Sequence, residues 1–143
     1  MIRLVTGFSW SAAEADGVRL VRTEVFIREQ EIPAGEEFDA IDETCVQALI
    51  LRDDMPVATG RLFAFEHGGR IGRMAVVRGA RGLGLGRLIV ESLLVEGRLR
   101  GWRRYVLDSQ VHAIGFYERC GFRVIGPEHL DCGIPHRMME RVE

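Results

Sequence analysis

The chain has 143 residues, 47% of them hydrophobic and 28% charged, with a formal net charge of −2. That is the size and balance of one globular domain over residues 1–143, without the basic excess of a nucleic-acid-binding surface. All 19 basic side chains are arginine, which excludes a Schiff-base lysine and the lysine of a nucleotide-binding P-loop.

In chain order, "IRLVT" alternates like a short strand. "SAAEADGVRLVRTEVFIREQ" then carries Val18, Val21, Val25 and Phe26 on one helical face. "EIPAGEEFDAIDE" reads as an ordered loop or short helical turn. "VQALILRD" and "PVATGRLFAFE" form a predicted hairpin about "DDM". "GRIGRMAVV" follows as a third strand after a second turn placed at Gly68 and Gly69. Leu88, Ile89, Leu93, Leu94 and Leu99 recur at helical steps until Gly101, predicting a helix of about 14 residues. "RYVLDSQ" is a strand, "HAIGFYERCG" a short helix closed by Gly121, "FRVIG" a strand and "PHRMMERV" the last one. The expected fold is α/β, a mixed sheet with helices on both faces. No apolar run of about 18 residues is present to span a bilayer, and "MIRLVTGFSW" lacks a signal peptide's pattern, so a cytoplasmic protein without a membrane partner is expected. Cys45, Cys120 and Cys132 are odd in number and too widely spaced for a zinc knuckle. Free thiols and no metal are expected.

Four glycines fall within the eight residues Gly79 to Gly86, directly ahead of the long helix. A strand ending in such a turn points several N–H groups at one spot, at the positive end of the helix dipole, which makes an anion site. A nucleoside triphosphate needs the Gly-Lys-Ser/Thr ending that "GLGLGRL" lacks. A dinucleotide needs GxGxxG after a first strand, whereas Gly82, Gly84 and Gly86 alternate after a fourth. The pyrophosphate of coenzyme A remains, beside a turn that merely lets strand and helix pack closely.

"RGLGLG", Arg81 to Gly86, resembles the Arg/Gln-x-x-Gly-x-Gly/Ala signature of the GNAT N-acetyltransferases. "HAIGFYERCGF" is similar to their A-x-x-F-Y-E-x-x-G-F helix, and "CGIPHRMM" to the ending of the bacterial ElaA and YjcF-like subgroup. The resemblance implies a GNAT-like fold, a mostly antiparallel sheet of six or seven strands splayed between the fourth and fifth and flanked by about four helices. It implies acetyl-CoA as co-substrate. Its pyrophosphate would lie on the amides of Arg81, Gly82, Leu83, Gly84, Leu85, Gly86 and Arg87, and its pantetheine arm along Met74, Ala75 and Val76. Gln110, Phe116 and Tyr117 would complete the cofactor site, and a homodimer is implied as well. Glycines suit a backbone cradle because they let the chain approach phosphates closely, and pantetheine amides can pair with an open strand edge.

Acetyl transfer to an amine needs a neutral nitrogen, a polarised carbonyl and a proton for the departing thiolate. By the resemblance Tyr117 supplies that proton, and the Val76 N–H polarises the carbonyl. The general base is open among Glu36, Glu37, Asp39, Asp42 and Glu43, with Asp42 or Glu43 acting through water the choice, and His136, of a residue type that titrates near neutrality, is a rival. Glu29 to Glu43 holds seven carboxylates and no basic residue, a wall that would favour a cationic amine among small-molecule or peptide acceptors. The function expected is an acetyl-CoA-dependent N-acetyltransferase working by direct transfer, with Cys120 packing rather than reacting. A non-catalytic acyl-CoA sensor is the alternative.

Overall fold

In the computed structural model, which describes residues 1–143, the N-terminal alternating segment forms β1 (Ile2–Thr6). The apolar stripe that follows forms α1 (Ala13–Arg22), which runs directly into a π-helical segment, Thr23–Glu29. Val18, Val21, Val25 and Phe26 are all buried, as their spacing requires. The acidic loop folds into α2 (Ala34–Glu37) and a 3-10 turn (Ala40–Glu43), the latter opened by a capping box between Asp39 and Asp42.

A meander follows, β2 (Val46–Arg52), β3 (Met55–Phe65) and β4 (Gly68–Val76). Its first turn is Asp53–Asp54, both left-handed (φ 50° and 66°), as a two-residue hairpin requires. The second lies at Glu66–His67 (φ 45° and 63°), not at Gly68 and Gly69. Those glycines belong to β4 because a Cβ at Gly68 would collide with the Arg104 carbonyl, and one at Gly69 would sit 2.7 Å from Leu62 Cδ1.

The glycine-rich turn enters α3 (Leu85–Leu99). Then come β5 (Arg104–Gln110), α4 (Ile114–Arg119), β6 (Arg123–Val124), β7 (His129–Asp131) and β8 (Ile134–Val142). Gly121, left-handed at φ 88°, turns the chain after α4. The sheet order is β1-β2-β3-β4-β5-β8-β6, with β7 also on β8. That makes eight strands rather than six or seven, because the three-residue β7 is too short to show a period. No helix is long and apolar enough to cross a membrane.

All neighbours are antiparallel except β4 and β5, which pair only through Gly69–Tyr105 and Arg70–Val106 and then part. A bulge drives the parting. Between the registers Arg61–Gly72 and Thr59–Ala75, β4 spends two residues, Arg73 and Met74, against the single Gly60, with Arg73 left-handed at φ 50°. The extra residue bends and twists the strand away from its neighbour. The main core, with Leu62, Ile71, Ile89, Leu93, Tyr105 and Met139, lies on the α3 side. Val21, Val25, Phe26 and Ala75 make a smaller one on the α1 side. The splay therefore opens onto two differently furnished faces.

Candidate active site

The splay forms a cleft of about 1240 Å³. On its α3 side, Gly82 and Gly84 are left-handed (φ 81° and 78°), with open space where a Cβ would stand. Gly86 serves another purpose, since a Cβ there would lie 3.1 Å from the Phe116 ring. The first bond of α3 runs from Leu88 N–H to the Gly84 carbonyl at 3.2 Å, and none of the N–H groups from Gly82 to Arg87 is bonded within the chain. No side chain caps the helix either. Six free amides at a helix N-terminus form a concave array of donors that suits a pyrophosphate. Leu85 is buried and anchors the turn, while the Leu83 and Arg87 side chains are exposed away from the cleft. The Arg81 guanidinium turns elsewhere, donating from Nε to the Val76 carbonyl at 2.8 Å and gripping Glu29 at 2.8 and 2.9 Å. That grip holds the Glu29 carboxyl below the usual range.

The strand edge beside the turn is open. Val77 N–H bonds the Val57 carbonyl at 2.9 Å, so Ala58 and Val76 are a non-hydrogen-bonded pair and the Val76 peptide groups face away from β3, into the splay. The same alternation turns the Ala75 peptide groups toward Thr59, its partner on β3, so Ala75 contributes a side-chain wall and no edge donor. Met74, in the bulge, packs its sulfur against Gly60 on the α3 side. From α4, Phe116 and Tyr117 close this face, their rings edge to face at 4.9 Å. The Tyr117 hydroxyl makes no hydrogen bond within the chain. Burial, with the nearby Cys120 thiol as a lesser cause, pushes its pKa well above the ordinary phenol value.

The α1 side is built from side chains. Gln110 on β5, His136 on β8 and His129 on β7 lie in one row across three strands, and Asp108 stands two residues from Gln110 on the same face. His136 Nδ1 sits 2.7 Å from the Ile134 carbonyl. A carbonyl only accepts, so Nδ1 carries the hydrogen and Nε2, which has no partner, holds the lone pair of the neutral ring. Gln110 Nε2 donates to Gln30 Oε1 at 2.8 Å and Gln30 Nε2 to Gln110 Oε1 at 3.3 Å. Cys132 Sγ donates to Glu36 at 2.8 Å. Both links span the cleft.

Asp42 lies behind this wall and does not line the cleft. Its carboxylate accepts from Arg22 Nη1 (2.6 Å), Arg61 Nη1 (2.9 Å), Gln47 Nε2 (3.1 Å) and the Asp39 N–H (3.1 Å). Burial alone would raise its pKa, but the arginines outweigh that and hold it at about 2. Such a group keeps no proton at neutral pH and has no open side to accept one from an ammonium, so the expectation of Asp42 as base is corrected in favour of a wall-building role. Glu37 meets Arg22 at 2.7 Å and Arg73 at 3.4 Å, and Asp39 meets Arg61 at 2.7 Å. Three carboxylates thus face three arginines, and the attractive potential expected of this segment is cancelled where it is densest. Two buried atoms of cross-strand neighbours, Gln47 Oε1 and Arg61 Nε, remain without partners. Arg22 had a signal in the sequence, as a charge at helical spacing from Val18 and Val25 on a buried stripe. Gln30, Arg61 and Arg73 had none, since their partners are distant along the chain.

A profile of the acetyltransferase (GNAT) domain matches residues 15–143. The chain belongs to the GNAT acetyltransferase family. It is 34% identical to the uncharacterized N-acetyltransferase YjcF of Bacillus subtilis over 120 residues, 83% of this chain and 86% of that one. Among solved structures it is similar to an acyl-CoA N-acyltransferase from Pseudomonas aeruginosa (TM-score 0.87, 29% identity, covering 99% of this chain and 100% of that one). It is also similar to Escherichia coli ElaA (TM-score 0.86, 25% identity, 99% of each chain). The GNAT chain is therefore an acyltransferase, and its family implies an acyl-CoA co-substrate. No group of three or more His, Cys, Asp or Glu side chains is placed to hold a metal ion.

Proposed function

We propose that the protein transfers an acetyl group from acetyl-CoA to the primary amine of a small molecule or peptide, directly, with both bound at once. The observation that carries this is one splay with two complementary openings: unbonded main-chain donors on the α3 face and a histidine with a free lone pair on the α1 face. Coenzyme A fits the residues present. The amides of Gly82 to Arg87 would hold its pyrophosphate and its pantetheine arm would run past the β4 edge, with Phe116 and Tyr117 beside the sulfur and the Val76 N–H left for the acetyl carbonyl. When bound, its thioester supplies the acetyl group, the C–N bond forming as the C–S bond breaks.

Each remaining task falls to a group of the chain. His136 Nε2 removes the proton of the incoming ammonium, which must be neutral to attack. Val76 N–H, aimed into the splay, donates to the carbonyl oxygen as charge grows there. Tyr117, kept protonated by burial, donates to the developing thiolate. Cysteine chemistry is disfavoured, because the thiolate is the nucleophile and every thiol is pushed the wrong way. Burial raises Cys120, burial raises Cys45 to about 11, and the Glu36 hydrogen bond raises Cys132 to about 11.

The test is the thermal unfolding midpoint with saturating acetyl-CoA beside NAD and ATP. A ligand at a hundredfold its dissociation constant adds about 2.7 kcal/mol, a rise of roughly several degrees for a domain this size. A rise with acetyl-CoA alone is expected. No rise, or a larger one with NAD or ATP, overturns the assignment.

A further inference from the structure

Every arginine that lines or backs the α1 face of the cleft has a carboxylate partner, with one exception. Arg22, Arg61 and Arg73 are matched to Glu37, Asp39 and Asp42. Arg70 lines the same cleft, half buried, yet it makes no ion pair and no side-chain hydrogen bond. Its guanidinium lies 5.4 Å from the Phe65 ring centroid, the only partner it has.

Its position is informative. Arg70 pairs with Val106 in the last register before β4 and β5 separate, so it stands at the apex of the splay. Residues paired across a ladder point to the same side, and side chains alternate along a strand. Arg70 therefore shares the α1 face with Asp108, two residues beyond Val106. Asp108 also lines the cleft, bonded only to His129 Nε2 at 2.9 Å, and it makes no pair with Arg70. A bare cation and a carboxylate held by nothing but an imidazole thus share the α1 face of the cleft. Glu36 and Asp131 add carboxylates at the rim.

We infer that the acceptor is an amine that also carries an anionic group such as a carboxylate, with Arg70 as the counterion of that group and Asp108 facing the ammonium. The inference rests on the acetyl-transfer assignment above. A diamine would leave Arg70 without a counterion, and a dianion would meet Asp108 and the rim acids unopposed. The zwitterion satisfies both. His136 is opposite Gln110, four residues along β5 from Val106 and therefore about 13 Å away along the strand. The long arginine side chain covers part of that span, which leaves room for a short aliphatic spacer between acid and amine.

Three amines of one length separate the possibilities: 5-aminopentanoate, pentylamine and 1,5-diaminopentane. With acetyl-CoA saturating, 5-aminopentanoate is expected to show about tenfold or more higher kcat/KM than the other two, the value of one charge-assisted contact, mainly through KM. Arg70→Gln should collapse that ratio, Arg70→Lys should restore part of it, and Arg70→Glu should shift preference to the diamine. Equal or better use of pentylamine or the diamine by the wild type overturns the inference, as does an Arg70→Gln variant that lowers all three alike. If none turns over, calorimetric titration of the three into the coenzyme A complex decides by the same ratios, and no binding by any of them overturns the inference. Failure of acetyl-CoA itself to bind strikes the underlying assignment instead.

Discussion

The two faces of the splay solve recognition in opposite ways. The α3 face uses main-chain groups that the fold declines to satisfy: six amides of the glycine turn and the N–H of Val76 on β4. The α1 face uses side chains, most of them already satisfied by one another through Arg22, Glu37, Asp39, Asp42, Arg61 and Arg73. A backbone cradle recognises any ligand with the right phosphates, so it suits a co-substrate common to a whole family. A wall of paired charges fixes shape, and leaves specificity to the few groups it does not pair.

The largest break in this comparison should come from Arg22, whose side chain is fully buried. Arg22→Met leaves Asp42 to Arg61 alone and Glu37 to the more distant Arg73, and about 3–5 kcal/mol of stability should be lost in urea unfolding. Variants still folded should keep the midpoint rise with acetyl-CoA, because the cradle does not touch this network. A loss near zero would mean that the buried charges are not held as described.

Next comes the chemistry shared by the two faces. Tyr117→Phe should lower kcat by about 10²-fold while leaving the folding midpoint nearly unchanged, since the hydroxyl bonds nothing in the chain. His136→Gln should lower turnover comparably, with acetyl-CoA binding intact. A Tyr117→Phe enzyme at full rate would remove the phenol from the mechanism.

The acid response should be of order 2 kcal/mol. The folded pKa of Asp42, about 2, lies below its ordinary value of 3.8. The stability it contributes is therefore complete above about pH 4 and is lost as pH falls toward 2. Glu37, raised by burial against the pull of Arg22, acts in the opposite sense and gains as pH falls. Asp42→Asn should flatten the loss between pH 4 and 2 in acid titrations followed by circular dichroism. An unchanged slope would show that other carboxylates carry it.

The smallest effect belongs to the glycine turn. Gly84→Ala puts a Cβ at φ 78°, a cost of about 1–2 kcal/mol though nothing crowds the site. Its mark should be a weaker midpoint rise with acetyl-CoA, whereas the acceptor-side ratios for 5-aminopentanoate stay put.

Local chemistry made the backbone of the proposed cofactor half legible from the sequence. Gly82, Gly84 and Gly86 precede an amphipathic run, and a strand, a left-handed turn and a helix N-terminus are all short-range structures, so α3 and β4 follow from neighbours along the chain. The meander was equally plain, apart from the second turn, where Gly68 and Gly69 looked like turn residues but are small for the sake of β5. What only the tertiary structure decided lies in pairings over long separations. Asp42 looked like a free carboxylate until Arg22 and Arg61, 20 and 19 residues away, closed on it. Gln110 looked free until Gln30, 80 residues away, bonded it. Arg70 looked like any strand arginine until its place at the apex left it alone. The sequence determined which backbone would be open, because that depends on residues in succession. Which charges would be open depended on who else arrives, and burial, which magnifies each pairing and each omission, is a property of the whole fold.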